Sequence, residues 1–107
     1  MSTALDTDQL QNSLRQLIAL AQIMLTLEPT QVELFQPRIA AREAIIQKLP
    51  RQLSSAEKCR LLPLLTELKA LDDELENRLI KARNAHCQAL RQIHFTQEVL
   101  STYQAFS

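Results

Sequence analysis

A metal or catalytic site would need converging His, Cys, Asp or Glu side chains, and the chain has two histidines and two cysteines, His86, His94, Cys59 and Cys87. His86 and Cys87 are adjacent, so on a helix their side chains point about 100° apart. His94 follows His86 by eight residues, or roughly two helical turns. Zinc sites need three or four ligands that converge. The pattern therefore predicts no metal site, no cofactor and no catalytic cysteine or histidine.

Four cationic side chains could instead bind a dicarboxylate: Arg15, Arg38, Arg42 and Lys48. Small all-helical chorismate mutases direct arginines and a lysine into a bundle interior for this purpose, because guanidinium groups bind carboxylates through paired hydrogen bonds. Residues 14–28 lack the acidic and basic pattern of that family's first helix. We expect ordinary surface cations, with Arg42 extending its head group to solvent from an apolar face. The protein is therefore expected not to be an enzyme, with a chorismate mutase-like activity as a minor alternative.

The chain has 107 residues and no glycine. Without glycine, backbone conformations with positive φ are costly, so tight hairpins, phosphate-binding loops and strained nucleophile turns are disfavoured. Twelve basic and twelve acidic residues cancel, which argues against nucleic acid and anionic membranes as partners. The composition favours helix, and the length suits a single domain.

The longest apolar stretch, residues 17–27, is interrupted by polar residues and is much shorter than the ~20 residues that span a bilayer. The start of the chain is acidic, with Asp6 and Asp8, unlike the basic start of a signal peptide. We therefore expect a cytoplasmic protein with no membrane insertion, in which Cys59 and Cys87 are reduced.

Apolar periodicity predicts a first helix over residues 8–27 and a second over residues 31–48. The first carries apolar residues at alternating spacings of four and three: Leu10, Leu14, Leu17, Ala21 and Met24. The second opens at a predicted capping box, Thr30 to Glu33, in which the hydroxyl and carboxylate would satisfy each other's backbone amides. Its apolar face is Phe35, Ile39, Ile46 and Leu49, with Arg42 at the intervening position.

A third helix is predicted over residues 55–103, opened by a second capping box from Ser54 to Glu57. We expect it to bend or break near Pro63 and then to continue for roughly 40 residues, or about 60 Å. Its apolar face is Leu64, Leu68, Leu71, Leu75, Leu79, Ala82, His86, Ala89, Ile93 and Leu100. The predicted fold is all-α: one domain over residues 1–107, an antiparallel bundle of three main helices. The third helix is longer than the first two can cover, which favours a partner on the uncovered part.

The C-terminal half of this predicted helix carries the candidate partner-binding surface. It combines apolar anchors with a cationic rim: Leu79, Ile80, Arg83, Cys87, Leu90 and Arg91. Phe95 and Tyr103 extend it toward an aromatic end. Helices present such anchors to partner grooves, although the same residues could pack against the first helix or a second copy of the chain.

Three segments, taken in order and with their spacing, resemble the FliT-like family of flagellar export chaperones, which are related in style to the FlgN-like chaperones. They are residues 14–25 of the leucine-rich first helix, residues 34–49 of the second, and residues 68–75 with Arg83, Leu90, Arg91 and Tyr103 in the third. Residues 34–49 are similar to the family's "L…ER..LI..L" helix. The last set is similar to its long "I..LD..L……R….L…….Y" helix.

The resemblance implies a cytoplasmic all-helical chaperone of type III flagellar export that performs no nucleotide chemistry. Family members bind the C-terminal helical region of a late export substrate, typically the filament-cap protein, and deliver it to the export ATPase and gate. The expected partners are therefore an export-substrate protein and export ATPase components. The alternative from a different class is a structural coiled-coil module that associates only with itself. A homo-oligomer such as a dimer is expected.

Overall fold

The computed structural model describes residues 7–50, 52–80 and 87–104, and these residues form four helices. α1 spans Thr7–Thr26, α2 spans Val32–Gln47, α3 spans Ser55–Ile80 and α4 spans Cys87–Gln104. Helix accounts for 88% of the described residues, and none of them lies in a strand. The prediction of an all-α fold is confirmed. No helix in the described ranges is long and apolar enough to cross a membrane.

The helices form two hairpins that pack side by side. α1 packs against α2 and α3 packs against α4, while α1 also lies along α3 and α2 lies along α4. α1 and α3 run in the same direction, because their N-terminal leucines share one core cluster and their C-terminal apolar residues share another. α2 and α3 lie diagonally across the bundle, where no described pair of their Cα atoms comes within 8 Å.

The core consists of two apolar clusters, one toward each end of the bundle. The buried members of the first are Leu10, Leu14, Leu17, Ile18, Ile46, Leu53, Leu61, Leu65, Leu68, Leu100 and Tyr103. The buried members of the second are Met24, Phe35, Leu75, Leu79, Ala89, Leu90 and Ile93. Each fully buried large apolar side chain contributes about 1.5–3 kcal/mol, so these clusters dominate the stability. The predicted apolar face of α1 is confirmed, since all five of its residues are buried.

The prediction of one long third helix is wrong. α3 continues through Pro63 and ends at Ile80, and a separate α4 begins at Cys87 and packs back along α3. This arrangement buries Leu90 and Ile93 in one cluster with Leu75 and Leu79 of α3. The helix is therefore not broken at Pro63, and the described residues form four helices rather than three. The described residues leave no uncovered extension of α3.

The apolar face of α3 also differs from the prediction. Its buried positions are Leu61, Leu65, Leu68, Asp72, Leu75 and Leu79, which recur at alternating spacings of four and three, as in a heptad repeat. Leu64 and Leu71, which were predicted on this face, are only partly buried at its edge. The buried face therefore includes a carboxylate, Asp72.

The two predicted capping boxes have different outcomes. At α3, the Ser54 amide donates to Glu57 Oε1 over 2.9 Å and the Glu57 amide donates to Ser54 Oγ over 3.2 Å, which confirms the box. At α2, the N-cap is Gln31 and no described side chain caps the helix start. The Gln31 side chain instead accepts a hydrogen bond from the Glu28 amide over 3.3 Å. The predicted Thr30–Glu33 box is therefore wrong.

Candidate functional site: a surface groove beside a buried polar layer

Arg42 and Asp72 form a completely buried ion pair, with both side chains 0% exposed. Arg42 Nη1 donates to Asp72 Oδ1 over 3.0 Å and Nη2 donates to Oδ2 over 2.8 Å, so the contact is bidentate. Arg42 belongs to α2 and Asp72 to α3, so the pair spans the diagonal of the bundle. The prediction that Arg42 extends its head group to solvent is wrong, because Asp72 holds that head group inside.

α4 supplies the remaining contacts of this pair. Arg42 Nε donates to Gln92 Oε1 over 3.0 Å, and Gln92 Nε2 donates to the Ile39 carbonyl over 2.8 Å. The Thr96 hydroxyl donates to the Gln92 carbonyl over 2.9 Å. The side chains of Arg42, Asp72, Gln92 and Thr96 are called the polar layer below. All three guanidinium nitrogens are hydrogen-bonded, and three helices are joined at one level.

The polar layer lies between the two apolar clusters. On α3, Asp72 falls between Leu68 of the first cluster and Leu75 of the second. On α1, the position between the two clusters is Ala21, which is 0% exposed. α1 thus contributes only a methyl group where the other three helices contribute polar side chains.

Burial raises the pKa of the Asp72 carboxyl above its ordinary value, while the charge and hydrogen bonds of Arg42 act in the opposite direction and Asp73 adds a small further increase. Taking two ions out of water costs several kcal/mol per ion, which the attraction between them offsets only when the geometry is good. We therefore expect the pair to determine how the helices are arranged more than to add stability. Removing one partner alone would leave an uncompensated buried charge.

A surface groove, called the α2–α4 groove below, runs between α2 and α4 next to the polar layer. It has a volume of about 420 Å³ and is lined by Ile39, Glu43, Ile46 and Gln47 of α2 and by Gln88, Arg91, Gln92 and Phe95 of α4. Phe95 is 54% exposed. An adjoining cavity of about 240 Å³ shares Ile39, Glu43 and Gln88 and extends the groove toward the start of α2. Gln92 belongs both to the groove wall and to the polar layer.

The predicted partner-binding residues do not form one surface. Leu79, Leu90 and Tyr103 are buried in the core, with exposures of 0%, 7% and 1%. The predicted surface assumes one continuous helix, whereas Leu79 and Leu90 lie on two separate helices and belong to the same apolar cluster. These three side chains are therefore structural in the folded chain.

The other predicted partner-binding residues are at the surface or outside the described residues. Arg91 and Phe95 line the α2–α4 groove. Ile80 is 42% exposed at the end of α3, and Cys87 is exposed at the start of α4. Arg83 lies outside the described residues. The structure therefore brings Arg91 and Phe95 together with α2 residues that were not predicted as site residues.

Asp72, Gln92 and Glu43 were also not predicted as site residues. A signal for Asp72 is present in the chain, because it follows Leu68 by four residues and precedes Leu75 by three. That spacing places a carboxylate on the buried face of a heptad, where a cation from another helix is needed to balance it. No comparable signal identifies Gln92 or Glu43.

Of the four cations considered for dicarboxylate binding, only Arg42 is buried. Its guanidinium is already bound by Asp72 and Gln92. Arg38 Nη1 donates to the Leu34 carbonyl of its own helix over 2.8 Å, and Arg15 and Lys48 are exposed.

The described part of the chain contains no group of three or more His, Cys, Asp or Glu side chains placed to hold a metal ion. His94 contacts Glu76 across α4 and α3, and Cys59 and Cys87 are exposed thiols. No protein-family model, curated protein or solved structure matches this chain.

Proposed function

We propose that the protein is a cytoplasmic export chaperone of the flagellar type III system and that it holds an amphipathic helix of an export substrate in the α2–α4 groove. The resemblance of its helices to FliT-like chaperones supports the export role. The groove supports the mode of binding, because two neighbouring helices with apolar side chains between them can receive a third helix. The substrate that the resemblance implies is the C-terminal helical region of a filament-cap protein.

Phe95 is the observation that carries the proposal. Its side chain is 54% exposed and lines the groove together with Ile39 and Ile46 of α2. A large apolar side chain left in water forgoes about 1.5–3 kcal/mol of burial free energy. Buried aromatic anchors carry much of the binding energy at protein interfaces. A partner helix seated over Phe95 would recover the part of that free energy that belongs to its exposed half.

Charged residues on the two walls define the chemistry of the partner. Glu43 on α2 and Arg91 on α4 both line the groove and are exposed. A helix with a cation toward α2 and a carboxylate toward α4 complements both charges, and such contacts set orientation more than affinity. The favoured partner is therefore an amphipathic helix whose apolar stripe has basic residues along one edge and acidic residues along the other.

Calorimetric titration with a synthetic peptide that contains the C-terminal helix of a filament-cap protein tests the proposal. We expect saturable binding to the full chain, weakened about tenfold or more by Phe95→Asp, because the substitution places a charge in the apolar groove. Leu62→Asp is the matched control, since Leu62 is 48% exposed but lies on α3 and does not line the groove. No binding, or equal weakening by both substitutions, would contradict the proposal.

A second copy of the chain is the competing occupant of the groove, because self-association is also expected from the sequence. Sedimentation velocity of the free chain distinguishes the two occupants. If the chain is a dimer that Phe95→Asp converts to a monomer, the groove is an interface between copies and the export proposal loses its binding site. A dimer that survives Phe95→Asp leaves the groove open to the peptide.

A further inference from the structure

α2 is the helix least anchored to the core. All 16 of its residues are described, and the buried ones are Phe35, Arg42 and Ile46. The described residues of α1, α3 and α4 include six buried side chains each. The backbone of α2 packs against α1 and α4, whereas its link to α3 is through the Arg42–Asp72 pair. Ile39 and Ile45 add partly buried contacts to the core, but α2 has fewer buried side chains than any other described helix.

One of the three anchors of α2 differs in kind from the other two. Undocking Phe35 or Ile46 loses about 1.5–3 kcal/mol of apolar burial each. Undocking Arg42 returns a guanidinium and the Asp72 carboxylate to water, and the recovered hydration offsets much of the lost attraction. The ion pair thus determines where α2 docks while adding little to the free energy that holds it there.

Local features of α2 agree with a weakly held helix. Its start at Gln31 has no side-chain cap, whereas α3 starts at a complete capping box. Pro37 lies inside α2 and has no amide hydrogen to donate to the preceding turn.

α2 forms one wall of the α2–α4 groove and α4 forms the other. Movement of α2 away from α4 would enlarge the groove without disturbing the packing of α1 against α3.

We propose that α2 is the movable wall of the α2–α4 groove and that the Arg42–Asp72 pair sets the position in which α2 docks without holding it there strongly. In the docked state, the groove has the width seen here, and Gln92 both accepts a hydrogen bond from Arg42 and lines the groove wall. In the undocked state, α2 separates from a core formed by α1, α3 and α4. The part that this motion plays in partner entry rests on the proposed function, whereas the motion itself does not.

Amide hydrogen exchange of the free chain tests the movable wall. Amides of a helix that opens locally exchange faster than those that require global unfolding. We expect the protected amides of α2 to exchange about tenfold or more faster than the slowest amides of α1 and α3. Equal rates in the three helices would overturn the proposal, and this comparison needs no variant.

A double substitution tests the role of the Arg42–Asp72 pair. Arg42→Met with Asp72→Leu replaces the ion pair by apolar side chains that carry no desolvation cost, and it should slow α2 exchange about tenfold. The control is Lys69→Gln with Asp73→Asn, which removes an exposed pair whose charged atoms lie 3.9 Å apart and should leave α2 exchange unchanged. Fast α2 exchange that the apolar double variant does not slow would overturn the role of the ion pair.

Exchange measured with and without the filament-cap peptide separates this proposal from the export function. If α2 exchanges fast but the chain does not bind the peptide, the proposal of a movable α2 stands and the export function is contradicted. If the chain binds the peptide but α2 exchanges as slowly as α1, the export function stands and the proposal of a movable α2 is contradicted.

Discussion

Arg42 and Asp72 are the only charged side chains among the buried described residues. Both carboxylate oxygens of Asp72 accept a hydrogen bond from Arg42, and Gln92 accepts the Nε hydrogen. Displacing α2 by one turn would leave both ions unpaired in an apolar core, which costs far more than moving a leucine. The pair therefore selects one register of α2 against the others, as buried polar residues do in coiled coils.

Replacing Arg42 by Met should destabilise the fold by about 3–5 kcal/mol at neutral pH, because it leaves the Asp72 carboxylate buried and unpaired. Burial already raises the pKa of Asp72, and the substitution removes the opposing effect of Arg42. A carboxyl whose pKa is raised by folding contributes stability below its unfolded-state pKa and loses it as the pH rises through the folded value. The deficit of the variant should therefore shrink as the pH falls.

Urea unfolding across acidic and neutral pH checks this prediction. Glu43→Gln serves as the control, because Glu43 is an exposed residue of the same helix and its replacement should leave the free energy of unfolding nearly unchanged. A deficit for Arg42→Met that is the same at every pH would show that Asp72 is not the residue left uncompensated.

Tyr103 gives a second residue-scale prediction. Its hydroxyl donates to the Pro50 carbonyl, and burial, with a smaller effect of Glu57, raises its pKa from 10.0 to about 12. The stability that the Tyr103 hydroxyl contributes is fully present below its pKa in the unfolded state, and it is lost as the pH rises through its pKa in the folded state. Tyr103→Phe should cost about 1 kcal/mol at neutral pH, and this difference should disappear in strong alkali.

Tyr103 is also the only tyrosine in the chain, so ultraviolet absorbance of the phenolate reports its ionisation directly. The folded protein should titrate near pH 12, and the denatured protein should titrate near the ordinary tyrosine value of about 10. A folded-state midpoint equal to the denatured one would contradict the buried position of the hydroxyl.

At the scale of the helices, identical sequence signals have different consequences. Thr30 and Ser54 each precede a glutamate by three residues, but only Ser54 caps a helix. Ser54→Ala should lower the free energy of unfolding by about 1 kcal/mol, whereas Thr30→Ala should change it by no more than a few tenths. Thermal unfolding of the two variants provides the check. Equal losses would mean that the Ser54–Glu57 box does not stabilise α3.

The helices themselves were predictable to different degrees. The predicted ranges 8–27 and 31–48 differ by one residue at each end from α1 and α2, because their apolar periodicity is local. The end of α3 was not predictable in this way. Residues 81–86 contain no proline or glycine, and four of the six are alanine, lysine or arginine, which favour helix. Helix ends without a local signal are decided by packing against the rest of the chain.

The register of α3 could be read only in part. Apolarity alone favours Leu64 and Leu71, whereas the buried face uses Leu61, Leu65 and Asp72. A pattern of apolar residues alone does not place a carboxylate such as Asp72 on a buried face. The partner of Asp72 is Arg42, which is 30 residues away in sequence and on a diagonally opposite helix. Only the tertiary arrangement identifies that pairing.

At the scale of the whole molecule, the polar layer and the groove are parts of one arrangement. Gln92 accepts from Arg42 on its inner side and lines the α2–α4 groove on its outer side. Gln92 therefore links the groove wall to α2 through its hydrogen bonds with Arg42 and with the Ile39 carbonyl. The predicted candidate surface included two residues of this groove, Arg91 and Phe95, but no α2 residue. The α2 side of the groove depends on the packing of α4 along α2, which the apolar pattern of the sequence does not indicate.

The most direct test of the central claim is nuclear magnetic resonance mapping of the isotopically labelled chain with the C-terminal helical peptide of a filament-cap protein. We predict that the largest chemical-shift changes fall on residues of α2 and α4 that line the groove, including Ile39, Glu43 and Phe95. Amides of exposed α1 residues, such as Gln16, should change little. Shift changes concentrated on the exposed faces of α1 and α3, or none at saturating peptide, would contradict the claim that the α2–α4 groove binds an export-substrate helix.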